Sequence, residues 1–440
     1  MSETVTPALR PPPGSYGLPF LGKVFGTAEF FLFGWEQYFA RRRDIHQSTV
    51  FKVNLFQPTI AVLDQQGIAP LFADKTLIQD YGFSWAVPPR PLVGDVTPSI
   101  FEHGPAHDDP KAFYLALMAA RGPALPGVFD AVADEFFGRW TKLEKFDWQG
   151  EIEDMAVSLI FEWLLGARPS TADVRLIYGG IFLHMAAWAE RPFPNSNYNR
   201  SLKAYGRLVD FIRTSPRYGE VEALARSHGV SAEALPHQLA FLLGMNGFLG
   251  TQSMLKSIVG ELSRQGGLQD DLQARLVAGD LGAIFTDSLL DGVIREVLRL
   301  HPPVFFIFGR ATEDRALSTA SGDFAIRKGE LVMGVIPFAL EDPSVYPDPL
   351  AFDANRYVEA QAREALIWSR GPHDQAVRPD DKICPGKDPA VLIGKLFCAR
   401  LATGYRWRLV DPPHWTRKHY GLNVAAPVGA LALESFEAIP

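Results

Sequence analysis

The alternation of apolar and polar positions reads as a helical chain carrying a few short strands. Ala28 to Arg43 repeats apolar residues at helical spacing, which predicts an amphipathic helix. Thr49 to Leu55 and Thr59 to Leu63 alternate with a period of two and predict short paired strands. Gly82 to Pro110 is dense in Pro and Gly, which predicts a long irregular loop of the kind that often carries function. From Phe113 to about Gln265 the helical period dominates, broken near Pro192–Ser196 and at Pro216. Its longest run, Ala232 to Glu261, would span about 45 Å as a helix. A further helix over Asp287–Leu300 is stopped by His301-Pro302-Pro303. Short strands and loops come next, from Val304 to Phe352, and a last helix is expected over Pro389–Tyr405. The predicted class is mainly α with minor β. No repeat, low-complexity block or Gly/Ser linker divides the chain, so residues 1–12 are expected to be a flexible Pro-rich lead and 13–440 a single domain.

Composition narrows the picture. With 440 residues and 47% apolar content, the chain has room for a large core. A net charge of −7 argues against a nucleic-acid surface, and Arg41-Arg42-Arg43 is too brief to change that. Two cysteines are too few for a disulfide framework, which points to a reducing compartment. Met1 to Pro13 has no apolar stretch of signal-peptide or membrane-spanning length. The expectation is a cytoplasmic protein, soluble or at most peripherally associated with a membrane. Trp188, Pro192, Phe193 and Pro194 could form an apolar entrance touching a lipid surface.

Chemistry concentrates near the C-terminus. Lys382-Ile383-Cys384-Pro385-Gly386-Lys387 places a thiol on a tight basic loop. A thiolate there suits an axial ligand for haem iron, since it pushes electron density onto the metal and favours O–O cleavage. Gly386 would let the backbone pass close to a flat macrocycle, and Lys382 and Lys387 would stabilise the thiolate. Taken alone, Cys384 also reads as an ordinary thiol. Glu296 and Arg299 lie three apart on one helix face, and Arg356 stands downstream. A Glu held between two Arg residues makes a charge-assisted lock, here of structural use. The middle of the long helix reads Gly244-Met245-Asn246-Gly247-Phe248-Leu249-Gly250-Thr251-Gln252. It has no carboxylate; Thr251 is an alcohol without an acidic neighbour, and Asn246 is an amide that donates and accepts without transferring a proton. Val304-Phe305-Phe306-Ile307-Phe308 suits either the wall of an acyl-chain pocket or a plain buried strand. His107 and Lys111, four apart, share a helix face, with Pro110 tolerated in the first turn. Cys398 is expected to pack as a small apolar residue.

The order Glu296-x-x-Arg299, Gly309-Arg310-Ala311, Arg356 and Cys384-x-Gly386 resembles the haem-thiolate cytochromes of the cytochrome P450 superfamily. The resemblance covers essentially the whole chain and implies that fold, with haem b (iron protoporphyrin IX) as cofactor. In most of the superfamily an aromatic residue and a Gly sit seven and four positions before the Cys, where this chain has Val377 and Asp380. Trp368 and Gly371 match instead, which requires nine extra residues before Cys384. That insertion is similar to the branch containing allene oxide synthase, hydroperoxide lyase and divinyl ether synthase. Pro13 to Gly22, Ser48 to Asn54, Trp368-Ser369-x-Gly371-Pro372 and Lys382 to Asp388 resemble the same branch.

The resemblance implies roles for individual residues. Asn246 would be the distal Asn that orients a hydroperoxide. His107, Lys111, Arg310 and Lys382 would hold haem propionates. Phe83, Val304 and Phe306 would join Asn246 at the substrate. Three departures stand out: Gln252 replaces a Lys near the substrate, Ile78 and Gln79 stand where relatives place another Lys, and either Gly82 or Phe83 occupies a product-determining position. The implied activity is dehydration of polyunsaturated fatty acid hydroperoxides to allene oxides, without dioxygen, NADPH or an obligatory reductase. Alternatives are an epoxyalcohol synthase or hydroperoxide lyase with the same chemistry, a reductase-dependent monooxygenase, or a haem carrier or sensor.

Overall fold

The computed structural model describes residues 9–18, 20–55, 57–80, 96–143, 146–179, 190–276, 280–359, 376–415 and 425–439. Its architecture is a large helical body with small sheets. A helix over Leu21–His46 is broken at Gly34 (φ 80°, ψ 167°), a backbone conformation that side-chain-bearing residues rarely adopt, and ends on a left-handed Gln47. β1 (Val50–Leu55) and β2 (Gln57–Val62) form an antiparallel hairpin, whose second arm starts earlier than the alternation predicts. β2 pairs in parallel with β7 (Leu331–Val335), and β7 pairs antiparallel with β4 (Phe306–Ala311), which in turn pairs with β3 (Leu77–Gln79). Two-stranded sheets are made by β5 (Arg315–Thr319) with β6 (Gly322–Ile326), and by β8 (Tyr405–Leu409) with β9 (Leu433–Ala438).

The Leu21–His46 helix lays Phe30, Trp35, Tyr38 and Phe39 onto Phe305, Phe306 and Phe308, closing an aromatic core on one face of the sheet. Arg42 is not simply solvated. It pairs with Glu29 at 2.5 Å and lies 3.7 Å over the Tyr38 ring. The main core joins the helices over Pro105–Arg121, Leu125–Trp140, Trp148–Leu165, Leu249–Arg264, Ser288–Leu300 and Lys387–Gly404. The predicted loop over Gly82–Pro110 ends earlier than its composition suggests. Helix Pro105–Arg121 starts with proline in its first turn, where a missing N–H costs nothing, and contains Pro110.

The Ser288–Leu300 helix shows how pattern becomes packing. Asp287 caps it by accepting from the Leu290 amide at 2.8 Å. Leu290, Val293, Ile294, Val297 and Leu298 form its buried stripe. Gly292 allows the 353–356 segment to close on it, because a Cβ there would stand 1.8 Å from the Ala354 carbonyl oxygen. The long helix differs from its prediction as one α-helix. Helical winding runs from Leu235 to Arg264, but Phe241–Phe248 winds as a π-helix.

Candidate active site

A largely apolar cavity opens between the 241–254 stretch of the long helix, strand β4, the Pro105–Arg121 helix and the loop before Lys387–Gly404. Its lining includes Asn246, Thr251, Cys384, His107, Lys111, Lys382, Val304 and Phe306. Residues from well-separated stretches of sequence thus meet at one place.

Cys384 is half-buried at the wall. Burial pushes its thiol pKa up, while the Gly386 amide, Lys111 and Lys387 pull it down. A thiol held protonated by its surroundings is a poor free nucleophile, and a coordinating metal removes its proton outright. The loop is ordered by Asp381. That carboxylate accepts from the Ile383 amide at 2.9 Å and the Arg378 amide at 2.7 Å, and it takes the Lys111 ammonium in a close ion pair. Sequence reasoning misses Asp381, because nothing local marks it as the partner of a residue 270 positions away.

The basic side chains around the cavity differ in their partners. His107 Nδ1 lies 2.7 Å from Asp108, and burial lowers its pKa. Among the charges that act most strongly on Cys384, Lys387 is one that sequence reasoning expects and Lys111 is one that it does not. The Lys382 ammonium donates to the Glu102 carbonyl at 2.9 Å, and among the described residues no carboxylate pairs with it. Burial first, and Lys111 second, push its pKa down to about 8. Arg310, expected at a haem propionate, stands beside the cavity rather than on its wall. It is absent from the cavity lining; its side chain bonds Asp80 at 2.9 Å and the Gly329 carbonyl at 3.0 Å, and it is Asp80 that lines the cavity.

Glu296 is fully buried and held from both sides. Arg299 donates to its two oxygens at 2.8 and 2.7 Å, and Arg356 donates to one of them at 3.1 Å. Arg356 also reaches the Pro347 carbonyl, and Arg299 those of Leu340 and Pro349. The lock therefore staples the 340–356 meander to the Ser288–Leu300 helix.

Val304 is 61% exposed and stands at the edge of the cavity, whereas Phe306 is buried and lines it. Phe306 also packs against Phe30 and Phe39, so the strand is both wall and core. Gln252 is buried, lies outside the lining, and its carbonyl oxygen has no hydrogen-bond partner among the described residues. A second feature hidden from sequence is the cluster in which Tyr114 donates to Gln238 at 2.6 Å, and Gln238 binds the Ser99 amide and the Thr97 carbonyl. It ties the 97–99 segment to the start of the long helix. Phe193 is 64% exposed between exposed Pro192 and Pro194. Gly82, Phe83, Trp188, Trp368 and Gly371 lie outside the described residues.

A family model described as Cytochrome P450 matches residues 288–417, the stretch holding the Glu296 lock and the Cys384 loop. A solved structure of a retinoic acid-bound cyanobacterial CYP120A1 superposes with a TM-score of 0.73 at 20% identity, covering 98% of this chain and 100% of that one. A divinyl ether synthase of Selaginella moellendorffii is 29% identical, over 90% of this chain and 91% of its own length. The chain is similar to the cytochrome P450 family over residues 288–417, in its fold, and in relatives spanning 90% of its length. A chloroplastic fatty acid hydroperoxide lyase of Solanum lycopersicum is 27% identical over 91% and 94% of the two chains. A chloroplastic allene oxide synthase of Arabidopsis thaliana is 25% identical over 90% and 85%.

Similarity to the cytochrome P450 family implies a haem, and the residues present fit one. A thiol faces the cavity, and Gly386 beside it leaves ordinary contact room against the Cys384 sulfur, at 3.9 Å from an added Cβ. Ile383, Leu298, Ala390 and Met254 offer apolar contact. Lys111 and Lys382 bring cationic groups and His107 a hydrogen-bonding ring to the same cavity, and among the described residues Lys382 has no carboxylate partner of the kind a propionate would supply.

Proposed function

We propose that this protein is a cytochrome P450 acting as a haem-thiolate dehydratase of polyunsaturated fatty acid hydroperoxides, forming allene oxides. The observation that carries this reading is Asn246 at the cavity shared with Cys384, on a helix with no carboxylate from Phe241 to Gly260. An oxygen-activating enzyme needs protons delivered to bound dioxygen. A substrate that brings its own O–O bond does not. The names of the hydroperoxide lyase and allene oxide synthase relatives support this substrate class.

Held by Cys384, haem b would supply homolytic cleavage of the substrate's O–O bond and one-electron oxidation of the carbon radical left once the alkoxyl oxygen has closed onto the adjacent double bond. Proton loss then completes the loss of water. The chain's own residues do the rest. Asn246 donates its amide N–H to the peroxide oxygens and offers no acidic proton. Its side chain has no protein hydrogen-bond partner among the described residues, which leaves it available. Thr251 adds a neutral hydroxyl to the same wall, and the Phe305, Phe306 and Phe308 strand presents an apolar surface to an acyl chain. Net loss of water from a hydroperoxide consumes no external electrons, so neither NADPH nor a reductase enters.

We place the protein in the cytoplasm, soluble or touching a membrane through the rim at Phe193. Among the described residues one helical stretch, 105–140, is long and apolar enough to span a bilayer. It is interrupted by a turn at Gly122–Ala124, and it carries Lys111 to the cavity and Phe129 and Trp140 into the core.

The test mixes purified ferric protein with a 13-hydroperoxy C18 acid and no NADPH. Rapid loss of diene absorbance, with the ketol hydrolysis product of an allene oxide on chromatography, is expected. Epoxyalcohol or aldehyde would reassign the product within the same chemistry. Turnover only with NADPH and a reductase would overturn the reading in favour of a monooxygenase, and no turnover in either case would leave a carrier.

A further inference from the structure

The helix bearing Asn246 is not α-helical where Asn246 sits, and a residue from another element packs into the irregularity. From Phe241 to Phe248 the backbone winds as a π-helix between the α-helical stretches Leu235–Ala240 and Leu249–Arg264. Such segments are rare, shift the carbonyl–amide ladder by one residue, and cluster at functional sites. Tyr178 closes the short helix Thr171–Ile177 and is buried. Its hydroxyl donates to the carbonyl of Ala240, the last residue before the π-segment. Its ring fills the notch left by Gly244: a Cβ on that glycine would stand 1.9 Å from Tyr178 Cζ and 2.1 Å from its oxygen. Three residues on, a Cβ on Gly247 would lie 3.1 Å from Ile160 Cγ2. Asn246 falls between these two close approaches and faces the cavity.

We propose that Tyr178 is a positioning residue: by occupying the Gly244 notch and holding the Ala240 carbonyl, it fixes the π-register that presents Asn246 to the cavity. Each residue gained or lost in a helix rotates the downstream part by about 100° relative to the upstream part. Reversion of this segment to α-winding would therefore swing the amide away from the cavity. The catalytic consequence rests on the proposed function; the structural consequence does not.

The experiment compares four holoproteins: wild type, Tyr178→Phe, Asn246→Ala and the double variant. In Tyr178→Phe the ring stays and the hydroxyl goes. Backbone amides of residues 241–248 are expected to exchange roughly fivefold faster, the worth of one hydrogen bond, with other segments unchanged. Hydroperoxide turnover should fall about fivefold in kcat, with KM nearly constant. Adding Tyr178→Phe to Asn246→Ala should cost nothing more, because the residue acts through the amide. Unchanged exchange in 241–248, or an effect that persists undiminished in the Asn246→Ala background, would overturn the proposal. If the wild type does not consume hydroperoxide, the functional reading fails separately. The latch is then decided by exchange and by titrating 13-hydroxy C18 acid against the haem absorbance, where Tyr178→Phe must weaken binding only when Asn246 is present. Should Tyr178→Phe not fold, Gly244→Ala, which pushes the ring out, must raise exchange in the same segment; if it does not, the proposal fails.

Discussion

At the scale of single residues, two side chains divide the chemistry. Cys384 offers a thiol at the cavity, and its raised pKa makes it a ligand in waiting rather than a reactive nucleophile. Replacing it by serine is expected to abolish the thiolate signature in the reduced, carbon monoxide-treated spectrum and all hydroperoxide turnover. An unchanged spectrum would show that the ligand lies elsewhere. In the proposed reaction Asn246 would act on the reacting oxygens, from its place on the cavity wall. Asn246→Ala should keep haem content and that spectrum, yet lower kcat on the order of a hundredfold, as loss of a positioned donor does. Steady-state kinetics on matched haem-loaded samples separates this from mere loss of cofactor.

Between elements, the Ser288–Leu300 helix is the piece to which the 340–356 meander is fastened. Its Glu296 is buried between Arg299 and Arg356, so truncation leaves two cations without their counter-charge. Glu296→Ala is expected to cost about 3–5 kcal/mol, seen as a large drop in denaturant midpoint or as failure to accumulate folded protein. Glu296→Gln, which keeps the hydrogen-bonding shape, should cost less. One turn away, Gly292→Ala puts a methyl into the Ala354 carbonyl. The 353–356 segment must shift, at a cost of about 1–3 kcal/mol, measurable in the same unfolding series. A neutral result there would mean that this segment gives way freely.

For the molecule as a whole, histidines with lowered pKa values shape the response to acid. Burial lowers the pKa of His237, whose ring nitrogen lies 2.8 Å from the Tyr205 hydroxyl. It also lowers that of His301, which lies 2.7 Å from Glu261 and stacks on Trp415 at 3.8 Å. At Glu261 burial pushes upward, but bonds from His301 and Gln265 outweigh it and the net shift is down. For the two histidines the folded chain binds fewer protons than the unfolded one as pH falls below the ordinary histidine pKa of about 6.5. Glu261 adds to this only in the carboxylate range. Stability should hold above that value and fall progressively beneath it. Thermal melts between pH 8 and 5 check the sign, and His301→Gln should flatten the slope. A melting temperature that rose on acidification would refute the argument.

What the chain settles alone is local. The Pro302-Pro303 pair ends the helix before His301, the two members Glu296 and Arg299 of the lock share a face by spacing, and the Cys384–Gly386 loop offers a thiol on a tight basic turn. These are legible because helix period, proline sterics and donor identity act within a few residues. Tertiary structure decided the rest. Only folding brings Asp381 to Lys111 and sends Arg310 to Asp80. Only the ring of Tyr178, 66 positions before Gly244, meets the notch in the long helix. Periodicity reports which face of an element is apolar, but not which distant side chain will fill a gap in it. That choice falls to close packing, which is settled only once the elements have met.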